Sequence, residues 1–344
     1  SAEPNVDSTR FGANIGAGLI CADLAELAEA LSSAVEGGVF SLKRWGAEGM
    51  NNLTPLWLLK FLPNMLACHV TIVHDAQGPS NTITCGEASS HLAIGEAFRT
   101  VARGVADVCI CGGAESKANP MALLRQSLAR RLTHRNDAPQ RACRPLAADR
   151  DGTAISEGGG LVILESLDHA RARGARIYAE LVGFGASNDA FSLEQPYQPP
   201  PDGRGLLLAA RKALADAGVA PDQVGVVASA ACGLPRHDAS EAAAIRTLLG
   251  GRAGEVPVLN VKGGLGNNGA GSGAIDFIAA ALALHNTTLP PAINSRPVDA
   301  AFGLAVAGEK PTDLAAEYGL SLSYALGGGQ NAALLLKRYR EANR

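Results

Sequence analysis

Short unbroken apolar runs alternate along the chain with longer stretches in which apolar residues recur every three or four positions. The runs are VADVCICGGAE at 105–115, GLVILE at 160–165, YAELVGFG at 178–185, VGVVASAACG at 224–233 and NAALLLKRY at 331–339. Continuous apolar runs of this length predict strands buried on both faces. The stretches at 90–104, 203–218, 240–250 and 274–285 carry helical periodicity. Strands alternating with such helices predict parallel sheets covered by helices.

The order of these elements repeats. SEGGGLVILESLDHARA at 156–172 echoes ALGGGQNAALLLKRYREA at 325–342, each a Gly triplet followed by an apolar strand and a charged end. TRFGANIGAGL at 9–19 echoes VGVVASAACGL at 224–234. Two related halves are expected, 1–172 and 173–344, forming one compact unit. They are unequal at their starts. The second begins with a strand and helix at 178–218, whereas only about ten residues precede the echoed segment of the first. Either the first half has lost a strand–helix unit, or the chain is a fragment whose missing piece, cleaved or on another chain, lies elsewhere.

Composition narrows the class. The 344 residues are 47% hydrophobic and 18% charged, as in a well-buried globule. A net charge of −3, without a basic cluster interleaved with aromatics, argues against nucleic acid. The longest apolar run, at 275–284, contains Asp276 and is too short to span a bilayer. The opening SAEPNVDSTR is polar, unlike a secretory signal. Seven cysteines without framework spacing suggest free thiols and a reducing, cytoplasmic setting. Cys109 and Cys111 alternate on one strand face, which is a packing pattern. No second Cys/His pair follows at zinc-finger spacing, so neither a metal nor a cofactor is expected.

Candidate chemistry concentrates in GPSNTITCGEASSHLAIGEA at 78–97. A β-branched run turns sharply into a helical pattern at Cys-Gly-Glu, the kind of turn on which enzymes mount a nucleophile. Two residues compete for the position, Cys85 and Glu87. A helix N-terminus favours a thiolate, and equally a carboxylate.

Two similar α/β halves with such a turn in the first resemble the thiolase-like fold, and the motifs resemble those of the β-ketoacyl-acyl-carrier-protein synthases. FLPNMLACHVTI, ICGGAES, RPLAADRDGTAISEGGGLVILES, AELVGFGASNDAF, NVKGGLGNNGAGSGAIDFIAAALAL, LPPAIN and SYALGGGQNAALLLKR follow the family's segments in order, from about Phe11 to Tyr339. The resemblance implies an α/β/α/β/α layered molecule, dimeric, whose first strand–helix unit is absent here. It also implies a catalytic cysteine and two histidines.

The family pattern sets its cysteine seven residues beyond a Gly-Pro pair. Counted from Gly78 and Pro79, that place is Glu87, and AIGEA downstream keeps the same register. Cys85 is then a small residue at a strand end, or a displaced nucleophile. The first histidine position falls on Ala231 and the second, in KGGLGNN, on Asn267. Lys262 keeps the family lysine, and Leu326 stands where the family has its gating phenylalanine. The backbone N–H groups of Glu87 and Leu326 occupy the family's oxyanion-hole positions.

A glutamate cannot hold a growing chain as a stable thioester, and residues of such a site act as a unit. The resemblance therefore implies a chain-length-factor-like subunit that lacks condensing activity. Such a subunit pairs with an active synthase, or with itself, and meets acyl carrier protein. One alternative is a Glu87-dependent acyl-thioester enzyme (hydrolase, acyltransferase or malonyl decarboxylase). That requires an elevated Glu87 pKa and an open pocket, with His91 one turn on either helping Glu87 or packing the helix. Another alternative is a non-catalytic carrier-binding scaffold. Its docking face would be the basic run at 125–135, which otherwise reads as a solvated helix face. His237 is expected in the loop before a helix. Trp57, Leu58, Leu59 and Phe61 are either plain core or contacts to a partner.

Overall fold

The structure, a computed structural model, describes residues 6–190 and 197–341. The opening five residues, Phe191 at the end of one quoted motif, and Ala342 at the end of the second repeat lie outside the described residues.

The first sheet contains β1 (Phe11–Ala17), β2 (Ser80–Ile83), β3 (Val108–Ser116) and β4 (Glu157–Glu165), in the order β2-β1-β3-β4. β1 runs parallel to β2 and β3, and β4 runs antiparallel to β3. The second sheet contains β5 (Glu180–Asn188), β6 (Val224–Ala228), β7 (Pro257–Leu259), β8 (Ala305–Val306), β9 (Tyr318–Tyr324) and β10 (Gln330–Lys337), in the order β8-β7-β6-β9-β10-β5. β6 is parallel to β7 and β9, while β10 is antiparallel to both β9 and β5. Thus β7-β6-β9-β10 repeats β2-β1-β3-β4. Among the described residues β5 has no counterpart in the first sheet.

Two helices lie between the sheets, α3 (Ser89–Ala102) and α7 (Ser272–Asn286), each touching strands of both. On the outside of the first sheet α2 (Met65–His74) packs on β1 and β2, after α1 (Leu24–Ser33) in the chain. α4 (Pro120–Leu128) follows β3. On the outside of the second sheet α5 (Arg204–Ala217) covers β5 and β10, with α6 (Pro235–Leu249) beside it. This is the α/β/α/β/α layering the resemblance implies. Gly183 and Gly185 let α5 approach: a Cβ at either would meet the carbonyl oxygen of Ala213 or Ala209 at 2.1 Å.

The core is richest in the second half, where Leu334, Leu335 and Leu336 on β10 are fully buried. Its strands are apolar on both faces because helices cover both. No helix among the described residues is long and apolar enough to cross a membrane.

Several local expectations change. The run at 224–233 is a strand only to Ala228; beyond it the chain turns toward the site. α6 begins at Pro235, so His237 lies inside a helix rather than in the loop before it. Proline at the first helical position, with its fixed φ and missing N–H, starts this helix upstream of the apolar period. The basic run at 125–135 is not one helix face, because α4 ends at Leu128 and Arg130 has φ +53°. Leu58 and Leu59 stand exposed on a 3-10 turn, so the plain-core assignment fails for these two.

Candidate functional site

Glu87 occupies the tight link between β2 and α3. Gly86 turns the chain at φ +55°, a conformation that favours glycine. Ser89 fixes the turn by accepting from the Cys85 N–H at 2.8 Å and donating to the Gly86 carbonyl at 2.6 Å. The Glu87 carbonyl accepts from Ser323 Oγ of β9 at 2.9 Å, tying the turn to the second half.

The Glu87 side chain is buried and fully engaged. Oε1 accepts from Lys117 Nζ at 2.9 Å and from Asn267 Nδ2 at 3.2 Å. Oε2 accepts from the Leu326 N–H at 3.0 Å. The residue's own N–H also favours the charged carboxylate. Burial alone would raise its pKa. The Lys117 ammonium and these hydrogen bonds outweigh burial and hold it down to about 2. Glu87 is therefore a carboxylate at any physiological pH, with both oxygens occupied.

Lys117 reaches the site from just beyond β3. Burial opposes its charge, but Glu87 and Glu115 more than compensate and raise its pKa. Glu115, pushed up by burial, accepts from the Ala270 N–H at 2.7 Å and lies 4.0 Å from Lys117. Lys117 did not figure among the expected site residues. The only signal for it was a lysine directly after the end of a buried strand, in GGAESK.

Asn267 is oriented by its own oxygen, which accepts from the Gly269 N–H at 2.9 Å and Ser272 Oγ at 3.3 Å. Its amide nitrogen is thereby aimed at Glu87. Ala231 contributes backbone only: its N–H donates to Ser229 Oγ at 3.1 Å and its carbonyl accepts from Asn260 Nδ2 at 2.9 Å. Lys262 is ion-paired with Asp276, both nearly inaccessible; burial raises the Asp276 carboxyl to about 6.

The Leu326 peptide is held from both sides. Glu87 takes its N–H, while its carbonyl accepts from Arg131 Nη2 at 3.0 Å and His237 Nε2 at 3.2 Å. The His237 ring stacks on Tyr324, with centroids 5.9 Å apart. Burial first, and Arg131 second, lower its pKa to about 4, so it is neutral and donates through Nε2–H. Between Glu87, Lys262, Asn267 and Leu326 a cavity of about 10 Å³ remains. That is room for one water at most, and none for an acyl chain.

The two other candidates stand apart from Glu87. His91, one turn along α3, directs Nε2 to Ser321 Oγ at 2.9 Å instead of helping Glu87. Burial lowers its pKa to about 3. Cys85 is half-buried, and burial pushes its thiol pKa up, away from the thiolate a nucleophile needs. After incubation with an acyl-carrier-protein thioester, peptide mass spectrometry is expected to find Cys85 unmodified. An acyl adduct there would make it the nucleophile after all. Among the described residues, no cluster of three or more His, Cys, Asp or Glu side chains is placed to hold a metal.

This layering around a strand–turn–helix defines a thiolase-like protein. The model of the β-ketoacyl synthase N-terminal domain matches residues 5–170, and that of the C-terminal domain matches residues 178–296. The chain belongs to the β-ketoacyl synthase family. It is 36% identical over 294 residues to 3-oxoacyl-[acyl-carrier-protein] synthase 2 of Synechocystis sp., covering 85% of this chain and 70% of that protein. The synthase 2 of Vibrio harveyi is 32% identical over 336 residues, 97% of this chain and 77% of the other. Among solved structures, a type II polyketide ketosynthase in complex with its acyl-carrier protein, bound to the hexaketide, superposes with a TM-score of 0.87 at 27% identity. The match covers 98% of this chain and 80% of that one. The ishigamide ketosynthase/chain length factor superposes with a TM-score of 0.81 at 27% identity, covering 96% and 76%.

Proposed function

We propose that this chain is a non-condensing member of its family, the chain-length-factor-like partner of an active synthase in fatty-acid or polyketide assembly. One observation carries this reading. The Glu87 carboxylate occupies the nucleophile position and takes up the N–H of Leu326, which the family resemblance assigns to the oxyanion hole. The donors an enzyme aims at a developing oxyanion are here spent on a permanent anion. With Ala231 and Asn267 at the histidine positions, no side chain remains to carry malonyl decarboxylation in the family manner.

The catalytic alternative fares worse. A glutamate acting as base or nucleophile on a thioester needs a raised pKa and access. Glu87 has a pKa of about 2 and sits against a cavity of about 10 Å³. A pure carrier scaffold is also disfavoured, because Arg131 of the basic run turns inward to Leu326.

The partner's place is argued from the β2 end of the first sheet. β2 is an edge strand, and on neighbouring α2 Ile72 and Val73 are each 75% exposed. Leu56 and Leu58 are exposed nearby in sequence. Apolar exposure on this scale marks a protein interface. An open groove of about 1080 Å³, lined by Ile20, Leu24, Phe61, Leu66 and Glu115, runs past the start of α2. A synthase subunit seated on this face is the proposed occupant, with acyl carrier protein as the assembly's substrate donor.

Co-expression with candidate Cys-His-His synthases from the same source tests the reading. The chain is expected to copurify with one of them and change its condensation rate or product length. Ile72→Glu with Val73→Glu is expected to abolish copurification while leaving the circular dichroism spectrum unchanged. A chain that stays alone and turns over an acyl thioester, with activity lost in Glu87→Gln, would refute the proposal.

A further inference from the structure

Three side chains around Glu87 form a constellation that a merely filled nucleophile position does not use. Glu87 Oε1 accepts at once from an amine, Lys117 Nζ at 2.9 Å, and from a side-chain amide, Asn267 Nδ2 at 3.2 Å. Amine and amide thus meet at one carboxylate oxygen. The amide's other end is held as well, since Asn267 Oδ1 accepts from the Gly269 N–H at 2.9 Å and from Ser272 Oγ at 3.3 Å. The lysine stem runs against the same turn: a Cβ on Gly269 would lie 2.5 Å from Lys117 Cε.

An amine, a carboxylate in reach of both nitrogens, and a carbonyl polarised by two donors are the parts an amide exchange needs. Holding them together in a folded core replaces an encounter in solution. Water is the amine's ordinary competitor. Lys117, Glu87 and Asn267 are buried, and the cavity beside them, of about 10 Å³, has room for one water at most. Lys262 lines the same cavity but is paired with Asp276. Glu115, 4.0 Å from Lys117, is the other carboxylate beside the amine.

We propose that Lys117 and Asn267 condense slowly to a side-chain isopeptide bond, with Glu87 as the proton carrier and ammonia as the leaving group. The ion pair described above is the reactant, and the newly folded chain is in that form. Lys117 passes one proton to Glu87, a transfer helped by burial, which opposes the charge on both partners. The freed Nζ lone pair attacks Asn267 Cγ, and the carbonyl electron pair moves to Oδ1, where the Gly269 N–H and Ser272 hydroxyl stabilise it. Glu87 gives its proton to Nδ2 and takes one from Nζ. The Oδ1 pair returns, the Cγ–Nδ2 bond breaks, and ammonia leaves. Glu87 ends with the proton that Lys117 brought, so no uncompensated charge remains in the core. Nothing is oxidised or reduced. Glu87 still takes the Leu326 N–H, so this inference goes beyond the proposed function and does not depend on it. The bond would join the end of β3 in the first half to the loop before α7 in the second.

Mass spectrometry of the chain tests it. Purified protein is held at room temperature for several days, and its intact mass and tryptic map are read at intervals. A growing fraction is expected to weigh less than the sequence by one ammonia. It is also expected to yield a branched peptide joining Lys117 to Asn267, uncleaved at Lys117. Lys117→Arg, which keeps a cation opposite Glu87, and Asn267→Ala, which keeps the ion pair, are each expected to stay at full mass. Glu87→Gln keeps both amine and amide and is expected to slow the loss about a hundredfold. Should the variants not fold, the branched peptide of the unaltered chain decides by itself. Full mass throughout overturns the proposal. So does loss of a water, which would put the bond on Glu87, or loss of ammonia in a linear peptide that hydroxylamine cleaves, which would mark a succinimide at Asn268. A branched peptide that forms at the parent rate in Glu87→Gln overturns the role given to Glu87.

Discussion

Replacing Lys117 by methionine is expected to cost about 3–5 kcal/mol of unfolding free energy, because it strands the Glu87 carboxylate in the interior without its counter-charge. Asn267 and the Leu326 N–H remain, but neither carries a positive charge. Urea unfolding at pH 7 provides the measurement. The double variant Glu87→Leu with Lys117→Met removes both charges and is expected to recover most of the loss, since a buried pair exchanged for apolar residues of similar volume is often nearly neutral. A Lys117→Met protein within about 1 kcal/mol of the parent would mean that Glu87 is solvated or protonated, contrary to its geometry. The acid limb gives an independent check. The folded pKa of Glu87 is depressed from 4.5 to about 2, so its contribution is complete above the unfolded value and is lost as pH falls toward 2.

The second large effect belongs to Glu241 of α6, behind the Ala231 loop. It accepts from the Ala230 N–H at 2.8 Å and from the Tyr324 hydroxyl at 3.3 Å. Burial dominates and raises its pKa to about 8. Between 4.5 and 8 the folded protein holds a proton that the unfolded chain has released, so stability falls as pH rises through that window. Asp238 and Asp276, each raised by burial to about 6, complete their share by about pH 7. His91 and His237, lowered by burial, oppose the decline from their folded values up to about pH 7. From pH 7 to 8 the decline belongs to Glu241 and amounts to about 1 kcal/mol. Glu241→Gln keeps the shape of the protonated side chain and is expected to flatten the profile over this interval. An unchanged slope in that variant would assign the pH dependence elsewhere.

Much of the architecture was legible because it rests on short-range regularities. Apolar runs bounded by glycines gave the strands, and the paired Gly triplets gave the duplication that the two strand orders reproduce. Counting from Gly78 and Pro79 by the spacing of the resembling family led to Glu87, and the structure puts that residue in the tight turn between β2 and α3. What was not legible depends on long-range encounters. Lys117 meets Glu87 only because β3 ends beside the turn from β2. Arg131 looked like part of a basic helix until α4 ended at Leu128 and the positive φ of Arg130 turned the chain inward. His237 was assigned to a loop because apolar periodicity begins later than the helix, which Pro235 starts. Leu58 and Leu59 read equally as core or contact, since hydrophobicity alone does not say on which molecule the burying surface lies.

The Glu87–Lys117 pair also couples two positions thirty residues apart in the chain. A glutamate in that buried position without the lysine strands an anion, and a lysine there without the glutamate keeps only the more distant Glu115 as counter-charge. Cysteine at position 87 would leave Lys117 facing Glu115 alone. The two positions are therefore read by the fold as one unit, and a change at either is tied to a change at the other.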